Sequence, residues 1–373
     1  MFKYIECGSN STPYQTQYAN ILRNLIYKPN KRVKSRNGLV NSRFFETIRV
    51  NLQKEYPLMD IKKIKFSNIY HELIWFLRGG TNIKYLVDNK CFIWNDDAFR
   101  YYNEKYKNLC GGVTITKEEF IEKVKNGDNL KIQDQDFIEK YDKTYYWFGD
   151  LDNIYGHQWT QFGELNVNQI TNTINLLKQD PNNRRITVTA HNPSDISDNN
   201  VGLPSCHNMF QFYTTPIPIE KRIILYNQTC GDGNNNEILT TKILDDNNIP
   251  KYMLSCWFNL RSNDIFLGNP YNIASYALLT HIIAKTVNMI PCELTCSMID
   301  CHIYDKHIEP AMEWLDRYYN DNKNDYYCKS KIKINKKLVL NSCGDYNTVD
   351  FNINDITLSD YNPQPYIKAV LLT

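Results

Sequence analysis

The order of helical and extended patterns along the chain is the feature that most constrains its fold. Apolar residues recur at helical spacing in five segments, which span residues 13–27, 68–77, 166–178, 272–287 and 306–319. Alternating or β-branched runs predict strands at residues 44–52, 185–190, 207–214, 221–226 and 253–260, and near 330–335 and 350–357. Because these strands and helices do not alternate strictly, the pattern favours an α+β layer architecture over a doubly wound parallel sheet.

Composition excludes several classes of protein. The chain has 373 residues, of which 42% are hydrophobic and 23% are charged, and its formal net charge is +2. This composition is typical of a soluble globular protein, and the small net charge does not favour nucleic acid as the primary ligand. The most apolar helical segment, residues 273–287, contains His281 and Lys285 and is too short and too polar to span a membrane.

The eleven cysteines are expected to be reduced thiols. Their number is odd and their spacing is scattered, which argues against a disulfide framework. The first residues of the sequence, Met1–Glu6, contain no apolar secretory core. We therefore expect a cytoplasmic protein.

One cysteine, Cys206, differs from the others in its sequence context. It follows the turn-forming Pro204 and directly precedes His207 and the strand predicted at residues 207–214. A sheet would hold such a thiol in a fixed direction while the turn leaves it accessible, which suits a nucleophile. A single free cysteine is more commonly a buried structural residue, so its position alone leaves both interpretations open.

Phosphate binding, if the chain has it, has to come from side chains. The sequence contains neither a Gly-rich loop ending in Lys-Ser or Lys-Thr nor a Gly-x-Gly-x-x-Gly motif after a strand. The candidate phosphate ligands are Arg36, the pair Arg184 and Arg185, and Arg261 with the neighbouring hydroxyl of Ser262. Taken singly, such arginines are more often solvated or paired with carboxylates, so both interpretations stay open.

Eight motifs occur in a fixed order along the chain, namely His71–Leu77, Ile93–Trp94, Tyr155–Trp159, Asp180–Arg185, Pro204–His207, Arg261–Tyr276, Asp300–Tyr304 and Tyr361–Ala369. Together they resemble the thymidylate synthase family over nearly the whole chain. The resemblance implies one catalytic domain spanning residues 1–373, with insertions at 97–150 and 227–254. It also implies an α+β fold in which helices pack on a large mixed β-sheet, one face of which forms a homodimer interface.

The resemblance implies a methyltransferase that converts dUMP to dTMP. Its cosubstrate would be 5,10-methylenetetrahydrofolate, which supplies a carbon and a hydride and leaves as dihydrofolate, and no metal would be needed. Cys206 would add to C6 of the uracil and make C5 nucleophilic, which divides a difficult alkylation into easier steps. Asn272 would match the uracil edge, because a carboxamide offers both a donor and an acceptor. Glu72, Tyr155 and His207 complete the implied catalytic set.

The binding residues follow from the same resemblance. The residues implied for dUMP are Arg36, Arg184, Arg185, Arg261, Ser262, Asp264, Asn272, His302 and Tyr304. In the family the arginine pair reaches across from the partner subunit, so each active site of the homodimer is shared. The residues implied for folate are Lys62, Lys65, Ile93, Trp94, Asp264, Leu267, Gly268 and Leu372, and the C-terminal segment would close over the site.

The sequence also departs from the family pattern at several positions. Asp97 stands where the family has a second tryptophan, and Asp152 and Asn153 stand where it has Gly-Pro before Tyr155. The loop that follows Arg36 differs as well. The folate side departs more than the nucleotide side.

Three other functions are compatible with parts of the sequence. A deoxyuridylate hydroxymethylase of the same fold would trap the exocyclic methylene with water, but Trp94, expected to shield that intermediate, favours methylation. A zinc-stabilised binding module would use Cys206-His207 and Cys301-His302, but neighbouring residues on a strand point to opposite faces and chelate poorly. A nucleotide-binding or RNA-binding protein without catalysis is disfavoured by the intact set of catalytic candidates, and no basic and aromatic cluster suggests RNA as the main ligand.

Overall fold

A six-stranded mixed sheet with helices packed on it forms the centre of the computed structural model, which describes residues 12–35, 37–230, 240–320, 326–343 and 346–370. The first half of the chain comprises α1 (Tyr14–Tyr27), β1 (Lys31–Ser35), β2 (Gly38–Asn51), α2 (Phe66–Leu77), α3 (Lys84–Asp88), α4 (Asn95–Tyr101), a π-helix (Tyr102–Tyr106), α5 (Lys107–Leu109), α6 (Lys117–Asn126), β3 (Asn129–Lys131), α7 (Gln135–Tyr141), β4 (Tyr145–Trp147), α8 (Tyr155–Thr160) and α9 (Gln169–Gln179). The second half comprises β5 (Thr187–Thr189), α10 (Pro193–Ser197), β6 (His207–Pro216), α11 (Ile219–Thr229), α12 (Thr241–Asp246), β7 (Tyr252–Asp264), α13 (Gly268–Thr286), β8 (Ile290–Tyr304), α14 (Asp305–Asn320), β9 (Lys331–Ile334), β10 (Leu340–Cys343), β11 (Tyr346–Val349), a 3₁₀-helix (Ile353–Asp355) and β12 (Ile356–Ser359).

The sheet has the strand order β1-β2-β8-β7-β6-β5. Every neighbouring pair is antiparallel except β7 and β8, which are parallel and joined by α13. Helix α13 is apolar on nearly every side and is buried along its length, as expected of a helix enclosed by a core. Its Tyr276 stacks on Phe258 of β7, with ring centroids 4.0 Å apart. The predicted α+β fold with a large mixed sheet is thus confirmed.

The other face of the sheet carries a shallow groove. It crosses strands β2, β8, β7 and β6 and is lined by Arg49, Thr295, Trp257 and Tyr213 together with their neighbours on alternate positions. Tyr213 is 69% exposed. Exposed apolar side chains that share one face of a sheet are typical of an interaction surface.

Residues 95–147 form a side lobe that is rich in aromatic residues. Tyr106 and Tyr146 stack within it, with ring centroids 4.1 Å apart. Helix α6 of this lobe begins with a capping box formed by Thr116 and Glu119. The apolar residues of the side lobe are continuous with the main core.

The strand predicted at residues 221–226 is wrong, because this segment lies within α11. Its β-branched residues favour a strand locally, but Arg222 and Leu225 are three residues apart and are both buried on one side of a helix. Arg222 donates to Asp245 at 2.7 Å and to the carbonyl of Ile249 at 3.0 Å. Long-range contacts therefore override the local preference.

Three elements begin earlier than predicted. The basic segment before residue 44 forms the edge hairpin of β1 and β2, so the strand predicted at residues 44–52 already begins at Gly38. Helices α2 and α13 begin at Phe66 and Gly268, so Asn68 and Asn272 lie inside them.

The cysteines and helices bear on the expected location of the protein. Eight described cysteines lie outside any disulfide, but Cys292 is disulfide-bonded, so the expectation that all thiols are reduced is wrong there. Among the described helices, none combines the length and the apolar composition needed to cross a membrane.

Candidate active site

The turn that carries Cys206 is held in place by residues from other strands. Arg261 of β7 donates from Nε to the carbonyl of Ser205 at 2.7 Å and from Nη2 to the carbonyl of Pro204 at 2.8 Å. The main-chain N–H of Arg261 donates to the carbonyl of Cys206 at 2.9 Å. The hydroxyl of Ser205 donates to the carbonyl of Ala190 at 2.7 Å. Cys206 itself is half-buried, so a fixed turn presents an accessible sulfur, as a nucleophile requires.

Tyr155 and His207 form a stacked pair beside this turn. Their ring centroids lie 3.9 Å apart and the rings are inclined by 9°. The hydroxyl of Tyr155 accepts the N–H of Cys206 at 2.7 Å, and Nδ1 of His207 lies 2.9 Å from the hydroxyl of Tyr276. Burial lowers the pKa of His207 to about 3 and raises the pKa of Tyr155 well above its ordinary value. Both side chains are therefore neutral near pH 7.

Glu72 and Asn272 face the same narrow cavity as His207. The cavity is lined by Glu72, Leu73, Phe76, Trp159, His207, Asn272, Ser275, Tyr276 and Leu279. Glu72 Oε1 accepts the indole N–H of Trp94 at 2.7 Å. Burial raises the pKa of Glu72 to about 7, although the bond from Trp94 acts in the opposite direction. The structure thus brings together a carboxamide, a neutral imidazole and a carboxyl group that can gain or lose a proton near pH 7.

His302 and Tyr304 lie at the end of β8, two residues apart on the same face. Their rings are perpendicular, with centroids 5.3 Å apart. Nδ1 of His302 lies 3.2 Å from the carbonyl of Asp300. His302 is the register partner of Asp264 on β7, so these predicted binding residues occupy adjacent strand ends.

Asp264 accepts main-chain hydrogen bonds at the end of β7. The N–H groups of Phe266 and Leu267 donate to its Oδ1 at 2.9 and 3.3 Å. Burial alone would raise the pKa of Asp264, but the nearby His307 and these amides lower it overall. The carboxylate is therefore ionised near pH 7.

His307 lies between Asp264 and the C-terminal segment and was not among the residues predicted from the sequence. Its Nδ1 lies 3.9 Å from Oδ1 of Asp264, and its Nε2 donates to the carbonyl of Val370 at 2.8 Å. Burial would lower the pKa of His307, but the nearby Asp264 carboxylate and the bond to the Val370 carbonyl raise it overall. The sequence feature that could have indicated His307 is its place three residues after Tyr304, in the first turn of α14.

The two lysines implied for folate, Lys62 and Lys65, lie in different environments. Lys62 is only 3% exposed, and its Nζ donates to the carbonyl of Phe266 at 2.6 Å. Burial lowers the pKa of Lys62 to about 7. Lys62 thus supports the backbone below Asp264 and does not reach the surface, whereas Lys65 is exposed and donates to the carbonyl of Lys90.

The remaining predicted residues are placed as follows. Arg184 and Arg185 are exposed before β5, and within the described part of the chain neither guanidinium group has a hydrogen bond or ion pair. Ser262, the neighbour of Arg261 in the sequence, is half-buried. The folate candidates Ile93, Leu267 and Gly268 are also half-buried. Two predicted residues, Arg36 and Leu372, lie outside the described residues.

No cluster of three metal-binding side chains occurs among the residues that the structure describes. Cys301 is completely buried in β8, while Cys206 faces the turn described above. The two Cys-His dipeptides therefore do not form a common set of ligands.

Comparison with known proteins identifies the family. The family model described as thymidylate synthase matches residues 16–373. A thymidylate synthase of Listeria monocytogenes serotype 4b is 35% identical over 342 residues, covering 88% of this chain and 90% of the relative. Those of Malacoplasma penetrans and Mycoplasma pneumoniae are 36% and 32% identical, covering 86% and 95% of this chain and 87% and 98% of the relatives. With its mixed sheet, its fixed cysteine turn and these matches, the chain belongs to the thymidylate synthase family.

Proposed function

We propose that this chain catalyses the reductive methylation of dUMP to dTMP, with 5,10-methylenetetrahydrofolate as cosubstrate. Membership of the family makes it a methyltransferase. The observation that carries the proposal is the position of His207. It lines the cavity that Glu72 and Asn272 face, and it stacks on Tyr155, whose hydroxyl is bonded to the Cys206 N–H.

Cys206 is the proposed nucleophile. Its sulfur adds to C6 of the uracil, and the electron pair of the C5–C6 double bond moves onto C5 and O4. Arg261 fixes the turn through two backbone carbonyls and brings a positive charge next to it. A nearby cation favours the thiolate over the thiol.

Glu72 and Asn272 are proposed to recognise and stabilise the uracil edge. The Asn272 carboxamide can donate to O4 and accept from N3–H, a pattern that cytosine does not offer. Glu72, with a pKa of about 7, can deliver a proton to O4 as negative charge develops there, through a water molecule.

Tyr155 and His207 are proposed to act on the C5 side. The C5 proton is proposed to leave to a water molecule held by the neutral Tyr155 hydroxyl, which is also bonded to the Cys206 N–H. Neutral His207 stacks on Tyr155 and fixes its orientation. His207 then acts through Tyr155 and Tyr276, without carrying charge itself.

The sugar and phosphate are proposed to bind along the strand ends. His302 and Tyr304 offer side-chain groups to the 3′-hydroxyl of the deoxyribose. Arg261 and Ser262 are proposed to hold the phosphate, together with Arg36. Arg184 and Arg185 are proposed to complete this site from a partner subunit.

The folate site is proposed to lie between Trp94 and Asp264. When bound, folate supplies the one-carbon unit and the hydride. The ionised carboxylate of Asp264 fits the N–H donors of a pterin, and half-buried Ile93, Leu267 and Gly268 offer an apolar wall. Lys65 is exposed and is proposed to meet the tail, whereas buried Lys62 is assigned to support of the Phe266 backbone. The proposed contact of Leu372 lies outside the described residues.

The hydroxymethylase alternative is not favoured. The relatives compared above carry the name thymidylate synthase. In addition, the Trp94 indole is bonded to Glu72 and its ring lies edge-on to Tyr155, with centroids 6.1 Å apart. A ring fixed there excludes water from the position where it would trap a methylene group.

Incubation with 5-fluoro-dUMP and methylenetetrahydrofolate tests the chemistry. Fluorine cannot leave C5 as a cation, so the reaction should stop with the nucleotide bonded to Cys206 through C6 and to the folate-derived carbon through C5. Mass spectrometry of the intact protein and of its peptides should then find the ternary adduct on Cys206. Unmodified protein after incubation would refute the covalent mechanism.

The exposed groove of the sheet supports a homodimer with shared active sites. Arg184→Ala combined with Arg185→Ala should raise KM for dUMP about tenfold to hundredfold, because two charge-assisted phosphate contacts are lost. Light scattering should report a dimer for the unaltered protein and for the double variant. Arg23→Ala on α1, also an exposed arginine, should leave KM unchanged.

A mixing experiment separates the two subunits' contributions. The double arginine variant and a Cys206→Ser variant should each be nearly inactive at low dUMP concentration. Their hybrid dimer contains one site with an intact cysteine and intact arginines, so activity should return after subunit exchange. If activity does not return although hybrids form, the arginines do not act across the interface.

Residues 1–373 are proposed to form one cytoplasmic catalytic domain, with insertions at 97–150 and 227–254. The side lobe supports the first insertion, because it has its own ribbon of strands β3 and β4. A small apolar cluster, separate from the main core and including Leu225 and Leu244, supports the second.

A further inference from the structure

Asp152 has a left-handed backbone conformation, and its carboxylate is surrounded by several hydrogen-bond donors. It precedes Tyr155 by three residues and has a φ of 54°, in the left-handed region that favours glycine. Its side chain is 5% exposed. A residue keeps such a conformation only where surrounding contacts hold it.

The side lobe supplies those contacts from Tyr101, the last residue of α4, and from the π-helix that follows it. The hydroxyls of Tyr101 and Tyr106 donate to Asp152 at 2.6 and 2.7 Å, and Lys105 Nζ donates to it at 2.9 Å. Lys143, near β4, is also paired with Asp152. The wider π-helical turn brings residues four and five positions apart onto one side, so Tyr101, Lys105 and Tyr106 reach the same carboxylate.

Residues of the same lobe also donate hydrogen bonds to the segment that leads to Cys206. Lys105 Nζ donates to the carbonyl of Asn199 at 3.0 Å and to Oδ1 of Asn200 at 3.3 Å. Arg100 Nη2 donates to the carbonyl of Gly202 at 3.3 Å. Gly202 is only four residues before Cys206.

The two segments that the lobe contacts are also hydrogen-bonded to each other through their main chains. Asn153 N–H donates to the carbonyl of Asn200 at 3.2 Å, and Gly202 N–H donates to the carbonyl of Leu151 at 2.8 Å. One of these segments continues to Tyr155 and the other to Cys206. The 2.7 Å bond between the Tyr155 hydroxyl and the Cys206 N–H therefore depends on the relative position of these two segments.

We infer that the side lobe braces the active site, and that Lys105 and Asp152 are positioning residues for Tyr155 and Cys206. The inference rests on the roles proposed above for those two residues. Lys105 is 8% exposed, so its ammonium group is committed to this junction and not to solvent. Without it, Asp152 would lose one of its two ammonium partners, and the paired segments would lose a shared anchor.

Steady-state kinetics of Lys105→Met test the inference. We expect kcat to fall about tenfold to hundredfold while KM for dUMP changes by less than about twofold, because a small misplacement of reacting groups slows chemistry without removing substrate contacts. Lys105→Arg, which keeps the charge and donors, should restore most of kcat. Lys125→Met is the matched control, since Lys125 lies in the same lobe, is 51% exposed and pairs only with Glu122 among the charged groups described.

A second variant covers the case in which Lys105→Met fails to fold. Tyr101→Phe combined with Tyr106→Phe removes only the hydroxyls bonded to Asp152 and keeps the aromatic packing, so kcat should again fall with KM preserved. If folded Lys105→Met, or failing that the double tyrosine variant, turns over as fast as Lys125→Met, the brace is refuted. Failure of the proposed function is a separate result, because the unaltered protein would then release no dihydrofolate.

Discussion

Replacement of Cys206 by serine is expected to reduce kcat by about 10⁴-fold or more, because removal of a catalytic nucleophile removes the covalent step itself. A serine hydroxyl has the size of the thiol but is hardly ionised near pH 7, so it cannot add to C6 at a useful rate. The turn should persist, since its hydrogen bonds come from the main chain, Ser205 and Arg261. Dihydrofolate release measures the turnover, and the 5-fluoro-dUMP adduct should be absent.

The matched control for this variant is Cys230→Ser. Cys230 is exposed at the end of α11, outside the proposed site, and its replacement should change neither turnover nor adduct formation. Equilibrium binding of dUMP to Cys206→Ser should stay within about threefold of the unaltered protein, because the proposed arginine and carboxamide contacts remain. Turnover by Cys206→Ser at more than a few per cent would rule out Cys206 as the nucleophile.

The main parts of the fold were predictable because they depend on local patterns. Helix α1 and strand β6 have clear helical or alternating periods, and the structure has them within a few residues of the predicted bounds. The pairing of strands was not predictable in this way. Strand β2 lies against β8, about 250 residues later in the chain, and no local pattern encodes such a contact.

The wrong local assignments have a common physical cause. The segment at 221–226 has strand-like composition, yet it is helical because the buried Arg222 binds Asp245 and the backbone near Ile249. Likewise, the burial of Lys62 was not evident from its neighbours in the sequence, since its Nζ lies 3.7 Å from the centroid of the Phe266 ring. Tertiary contacts decide the outcome in both places.

The candidate site shows the same division between local and long-range information. Cys206, Glu72 and Asn272 lie in recognisable motifs, and the last two share a cavity in the structure. The contacts of His307 and Lys105 could not be predicted from the sequence. His307 contacts Val370, which is 63 residues away in the sequence, and Lys105 contacts Asp152, which is 47 residues away.

Glu72→Gln is expected to lower kcat by about 10²-fold to 10³-fold, which is the usual contribution of a positioned proton donor. The carboxamide has the same shape as the carboxyl group, and its oxygen can still accept the Trp94 indole N–H, so the wall of the cavity should be preserved. What the variant loses is the proton that the neutral carboxyl group delivers towards O4. KM for dUMP should therefore change much less than kcat.

The direction in which kcat changes with pH also tests the role of Glu72 as a proton donor. Burial raises the pKa of Glu72 to about 7, so the carboxyl group is mostly neutral below pH 7 and mostly ionised above it. Because the neutral form donates the proton, kcat should fall as the pH rises through about 7 in the unaltered protein. Glu72→Gln cannot ionise, so this inflection should disappear from its pH profile. Glu122→Gln, which alters a glutamate that is 62% exposed on α6, should keep both the rate and the inflection. An unchanged inflection in Glu72→Gln would assign the proton transfer to another group.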